Sequence, residues 1–230
     1  MRVIGLIGGM SWESTAIYYR IANELVRDRL GGLHSARIVL VSLDFQEISE
    51  LQRADRWDEA AGILARAART LEHAGAELLL ICTNTMHLLI DEVQAAVEAP
   101  VLHIGDTAAE AVTAAGIDRI ALLGTAFTME KPFYRERIAQ HGIEVLVPDE
   151  EDRGFIHRAI FDELALGVVD DRTRERFAGI IDGLVARGAK GVILGCTEIE
   201  LLISQQDSPV PVFPTARLHI EAAVERALAE

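Results

Sequence analysis

Gly75-Ala76-Glu77-Leu78-Leu79-Leu80-Ile81-Cys82-Thr83-Asn84-Thr85 has a counterpart late in the chain, Gly188-Ala189-Lys190-Gly191-Val192-Ile193-Leu194-Gly195-Cys196-Thr197-Glu198. Each is a glycine-led turn, then an apolar run of strand length, then an abrupt step into small polar residues. A second pair precedes them. Ile4-Gly5-Leu6-Ile7-Gly8-Gly9-Met10-Ser11 matches Ile120-Ala121-Leu122-Leu123-Gly124-Thr125-Ala126-Phe127, and the spacing from Gly8 to Thr83 nearly equals that from Gly124 to Cys196. The repeat predicts two similar small α/β domains related by a pseudo-twofold axis. Their expected bounds are 1–100 with 210–230, and 101–209, divided near Pro100 and rejoined near Pro209 to Pro214.

Working outward, short β-branched or leucine-rich runs alternate with longer amphipathic stretches. Val3 to Ile7, Arg37 to Leu43, Leu78 to Cys82, Val101 to Ile104, Ile120 to Leu123, Glu144 to Val147 and Val192 to Gly195 read as strands. Ser14 to Leu30, Trp57 to Ala74, Thr107 to Ala115, Lys131 to Gln140, Asp152 to Ala165, Arg172 to Arg187 and Ala216 to Ala229 read as helices. Strands alternating with helices of this length imply parallel βαβ units. Strands apolar at every position imply sheets covered on both faces. In such sheets ligands bind beyond the carboxyl ends of the strands. Thr83 and Cys196 both lie there, so the repeat predicts that they approach an interdomain cleft from opposite sides.

Composition narrows the function classes. The net charge of −14 argues against a nucleic-acid partner, because phosphate neutralisation needs clustered Lys and Arg. The apolar runs are far short of the roughly 20 residues that span a bilayer, and Met1-Arg2-Val3-Ile4-Gly5 lacks a signal-peptide pattern, so no membrane association and a cytoplasmic location are expected. The two cysteines, Cys82 and Cys196, are then free thiols rather than a structural disulfide. No metal site is expected, since the seven histidines show no ligand spacing. Lys131 and Lys190 are the only lysines and neither ends a strand, so a Schiff-base cofactor site is not indicated.

The strand-end residues suggest anion recognition and proton transfer. Cys196 precedes a helical stretch, whose unpaired N–H groups and dipole would favour thiolate over a merely packed thiol. Asn84 and Thr85 offer short polar groups for a carboxylate cradle or for simple capping. Gly8-Gly9-Met10-Ser11 could bring backbone N–H groups to a carboxylate, although it is no dinucleotide fingerprint; Gly124-Thr125 with Thr128 is its counterpart. Gln52 and Asp44, beyond the Arg37 to Leu43 strand, could reach an ammonium or carboxylate. His87 reads equally as a hydrogen-bonding support of the site or as a structural histidine. By strand alternation Cys82 and Thr83 point to opposite sides, and the repeat aligns Thr83, not Cys82, with Cys196.

These segments together resemble the aspartate/glutamate racemases that work without pyridoxal phosphate. The resemblance covers essentially the whole chain and is most specific in Gly8-Gly9-Met10-Ser11-Trp12-Glu13-Ser14-Thr15, Cys82-Thr83-Asn84-Thr85-Met86-His87 and Gly195-Cys196-Thr197-Glu198. It implies a cofactor-independent isomerase of two α/β domains, with two cysteines that remove and return the α-proton of an amino acid from opposite faces. Here the first of those cysteines is replaced by Thr83, a departure similar to a branch specific for L-aspartate and L-glutamate. The resemblance therefore implies Thr83 and Cys196 as catalytic residues, Cys196 being the base. Met10, Gln52, Asn84, Thr85, Thr125, Thr197 and Glu198 are the expected substrate-binding residues, and the L-enantiomer is the expected substrate. Hydantoin racemase, maleate isomerase and arylmalonate decarboxylase chemistry use a thiol similarly, and a non-catalytic binder of acidic amino acids is the rival outside enzymes. A homodimer is also expected, through the apolar helix Asp58 to Leu71 or through Trp12, Tyr18 and Tyr19.

Overall fold

In the computed structural model, which describes residues 1–229, the chain divides into two compact units. One comprises Met1–His103 with the chain from His219 onward; the other is Ile104–Leu218. In the first unit lie β1 (Ile4–Gly8), β2 (Ile38–Ser42), β3 (Leu78–Ile81) and β4 (Val101–Leu102). They form one parallel sheet in the order β2-β1-β3-β4. The second unit holds β5 (Arg119–Gly124), β6 (Glu144–Leu146), β7 (Val192–Gly195) and β8 (Val212–Pro214), parallel in the order β6-β5-β7-β8. The same crossover pattern occurs in both units, as the repeat predicts. β1, β3 and β7 are buried at every position, which is why their sequences show no alternation.

Helices cover these sheets: α1 (Trp12–Leu30), α2 (Phe45–Arg53), α3 (Trp57–His73) and α4 (Ile90–Gln94) in the first unit. The second carries α5 (Ile104–Ala114), α6 (Ala126–Glu130), α7 (Pro132–Ala139), α8 (Glu150–Asp162) and α9 (Asp171–Ala186), and α10 (Thr215–Leu228) returns the chain to the first. α1 starts where the Ser11 hydroxyl accepts from Ser14 N, and it stops at Gly31, whose φ of 73° a side chain would resist. α3 turns Ala60, Leu64, Ala67, Ala68 and Leu71 into the core beside Ile7, Leu79 and Ile81.

Several expectations change. The apolar face of α3 is this unit's own core, not a free dimer surface. Tyr18 is buried while Trp12 and Tyr19 are 68% and 56% exposed, because adjacent helical residues point about 100° apart. α2 was not anticipated, although Asp44 caps it by accepting from Gln46 N at 3.0 Å, a bond that also accounts for Asp44 without a ligand. β8 was expected to lie in the return to the first domain. Its pairing of Val212 with Val192 and Phe213 with Ile193 places it in the second, so the chain returns after Leu218. The expected helix from Lys131 starts one residue later at Pro132, where a missing N–H costs nothing.

Candidate active site

At the carboxyl end of the first sheet, Ile7 pairs with Ile81 and the Cys82 N–H donates to Ile7 O, with Thr83 following just beyond the strand. The second sheet repeats this arrangement with Gly124 paired to Gly195, which puts Cys196 level with Thr125. The sequence repeat matches Thr83 with Cys196, and both lie just beyond the carboxyl ends of their strands. Cys82, equivalent to Gly195, is fully buried; its N–H donates to Ile7 O and its carbonyl accepts from the Ser14 hydroxyl. Burial pushes its thiol pKa far above the ordinary value, so it is a packed neighbour rather than a base.

The first strand-end turn is tightly held. Thr83 N donates to Ile81 O at 2.8 Å, bending the chain out of the strand, and a 3₁₀ turn over Thr85–Leu89 follows. Thr83 remains half-exposed, whereas Asn84 and Thr85 are buried. Gln52 reaches this turn from α2, with Nε2 3.0 Å from Met86 Sδ. Met10 packs into the same core as Met86, Ile48 and Leu51, so it offers a ligand its backbone rather than its side chain. The Gly9 N–H, expected to face a carboxylate, instead donates to Thr15 Oγ1 at 2.8 Å. Gly9 itself has a φ of 85°, and a Cβ there would stand 2.1 Å from Leu43 O, so close backbone approach explains the glycine.

The second turn concentrates the chemistry. Cys196 Sγ donates to Glu198 Oε2 at 2.8 Å, and the Thr197 hydroxyl donates to the same oxygen at 3.0 Å. All three residues are buried. This corrects the thiolate expected from a helix terminus: the element is a 3₁₀ turn over Thr197–Leu201, too short for a useful dipole. Burial, then the Glu198 charge and hydrogen bond, hold the Cys196 thiol pKa well above its ordinary value. The resting group is a thiol with its proton already aimed at a carboxylate. Thr125 lies level with Cys196 and caps α6, its hydroxyl near Thr128 N and Thr128 Oγ1. A Cβ on Gly124 would sit 2.8 Å from Gly195 O, which keeps both positions glycine where the strands end.

Residues 7–223 match the model of the Asp/Glu/hydantoin racemase family. The chain belongs to that family. Over the full length of both chains it is 50% identical, with a TM-score of 0.93, to the crystal structure of a candidate Asp/Glu racemase from Yersinia pestis. It is 37% identical, with a TM-score of 0.86, to an aspartate racemase homologue from Pyrococcus horikoshii OT3, again over both whole chains. It is also 21% identical over 75% of this chain and 74% of the other to the broad specificity amino-acid racemase RacX of Bacillus subtilis.

Sequence reading missed what lies behind the Thr83 turn of this racemase-family chain. His87, His103 and His219 are buried together with Tyr18, gathered from four segments distant in sequence. Burial above all pushes the pKa of His219 down to about 3 and that of His87 well below its ordinary value. In the second unit, burial raises that of Glu200 to about 7. The signs oppose. The unfolded chain binds more protons at both histidines below pH 6.5, so their contribution is complete above that pH and is lost on acidification. Glu200 contributes most below about pH 4.5, and its contribution is lost as pH rises through 7. Two histidines oppose one glutamate, so stability should fall as pH drops from 6.5 towards 4.5. Glu200→Gln should steepen that slope, as read from urea midpoints across the range.

Proposed function

We propose that this protein is a cofactor-independent racemase of aspartate or glutamate. Cys196 acts as the proton-abstracting base and Thr83 as the donor at the opposite face of the same α-carbon. The observation that carries the reading is the 2.8 Å bond from Cys196 Sγ to Glu198, at the strand-end position that the sequence repeat matches with Thr83. Glu198 takes the thiol proton; the thiolate then removes the α-proton, breaking the Cα–H bond. The carbanion accepts a proton from the Thr83 hydroxyl, directly or through one water; the hydroxyl recovers its proton from solvent, and Glu198 releases the one it took to solvent. Asn84, Thr85 and Thr125 supply short donors for the α-carboxylate, while Met10 and Thr197 offer backbone and Gln52 meets the side chain. We read the chain further as a cytoplasmic homodimer, for which the exposed Trp12 and Tyr19 are suitable contacts. No described helix is long and apolar enough to cross a membrane.

Gln52 favours a second reading of specificity. It is buried beside Met86 and uncharged, so it suits a neutral polar substrate side chain as well as a carboxylate. The similarity to RacX, named for broad specificity, points the same way. Chiral chromatography after incubation with L- and D-aspartate and glutamate, neutral polar amino acids, maleate and a hydantoin decides among these. Inversion of acidic amino acids alone supports the first reading, and inversion of neutral ones the second. Turnover of maleate or a hydantoin alone would contradict both.

Asymmetry should follow from unlike groups on the two faces. The enantiomers have equal free energy, so kcat/KM is equal in both directions and the preference for L appears in kcat at saturation. A hydroxyl is a far weaker base than a thiolate. Thr83→Cys should therefore raise kcat from the D-enantiomer by about tenfold. An unchanged value would count against Thr83 acting at that face.

A further inference from the structure

Two of the histidines behind Thr83 face backbone carbonyls, which can only accept. His219 Nε2 donates to Leu102 O at 2.9 Å, which leaves Nδ1 to accept the Tyr18 hydroxyl at 2.9 Å. His87 Nδ1 lies 2.8 Å from Thr83 O, and the ring also meets the Leu102 carbonyl; with its proton on Nδ1 it donates to Thr83 O. His87 is 1% exposed, with its ring centroid 4.9 Å from that of His103 and 5.6 Å from that of His219. Burial, and then the mutual repulsion of the three rings, keep it neutral. Protonated on Nδ1 and clamped among two other rings, such a neutral ring is a fixed donor to Thr83 O. With Thr83 N already bonded to Ile81 O, both peptide groups around Thr83 are tied down.

We propose that His87 is a positioning residue for proton return. Its Nδ1–H holds the Thr83 carbonyl and so fixes the direction of the Thr83 hydroxyl. The proposal rests on the reading of Thr83 as the donor at one face of the substrate. The geometry separates two conservative replacements. Asparagine places its amide nitrogen close to the position of Nδ1, whereas glutamine reaches towards that of Nε2, and leucine fills the volume with no donor.

The test measures kcat, KM and α-proton exchange in deuterated water for the wild type, His87→Asn, His87→Gln and His87→Leu, each well below its own Tm. His87→Asn should stay within about threefold of wild-type kcat. His87→Gln and His87→Leu should lose about tenfold or more with KM nearly unchanged, while retaining exchange at the Cys196 face. Nitrogen-15 NMR of the wild type should show His87 protonated on Nδ1 and unresponsive between pH 7 and 5. If His87→Leu does not fold, the contrast between the Asn and Gln variants decides. Equal kcat in those two, a leucine variant as fast as wild type, or protonation on Nε2 would each overturn the proposal. A wild type that neither racemises nor exchanges would overturn the underlying reading, and this proposal with it.

Discussion

Cys196→Ala should lower kcat by about a thousandfold or more from either enantiomer, since positioned proton transfer contributes roughly 10²–10⁴-fold. Both directions fail together because inversion requires chemistry at both faces, whichever face begins it. KM should move little, as the proposed carboxylate contacts belong to other residues. Cys196→Ser should recover almost nothing, since an aliphatic hydroxyl does not yield its proton to a carboxylate as a thiol does. Cys82→Ala is the internal control. The Cys82 thiol is fully buried, so its loss should leave turnover within about twofold. Steady-state kinetics on the three variants would establish this, and comparable losses in Cys82→Ala and Cys196→Ala would contradict it.

Glu198→Gln should separate thiol reactivity from turnover. The carboxylate raises the Cys196 thiol pKa through its charge and by accepting the thiol hydrogen, yet it is also the acceptor that takes that proton in the reaction proposed here. Glutamine keeps the volume and an oxygen for Thr197 but takes away the charge. The thiolate fraction at fixed pH should rise, so alkylation by iodoacetamide at pH 7.5 should quicken by several fold. Turnover should nevertheless fall about a hundredfold, within the range for general base catalysis. A role for Glu198 in packing alone would leave turnover within a few fold. Slower alkylation together with slower turnover would instead indicate that the turn had been disordered.

The parallel sheets and the duplicated strand ends could be read from sequence because they rest on local patterns. Runs such as Leu78–Ile81 and Val192–Gly195 carry no alternation, and the polar step after each marks the same register in both units. β8 was harder to see, being three residues that follow one proline and end on another, where strand and linker have the same composition. α2 is short, and its cap Asp44 reads equally well as a ligand. At the site, the residue types could be identified but not their states. A cysteine before a helical run suggests a thiolate; only the side-chain arrangement shows the carboxylate of Glu198, two residues on, accepting the thiol hydrogen. The histidine cluster depends on long-range packing, with His219 meeting Tyr18 across 201 positions of sequence, and no motif announces it.

Wash-in from deuterated water reads proton abstraction by Cys196 and return at the other face in a single experiment. L- and D-glutamate and L- and D-aspartate are incubated with the wild type, and each enantiomer is resolved and followed by mass spectrometry from the first turnovers. The account predicts that newly formed opposite enantiomer carries one deuterium at the α-carbon, appears faster at saturation from L than from D, and vanishes in Cys196→Ala. Undeuterated substrates with unchanged chirality in all four incubations would contradict it, as would undiminished wash-in in Cys196→Ala.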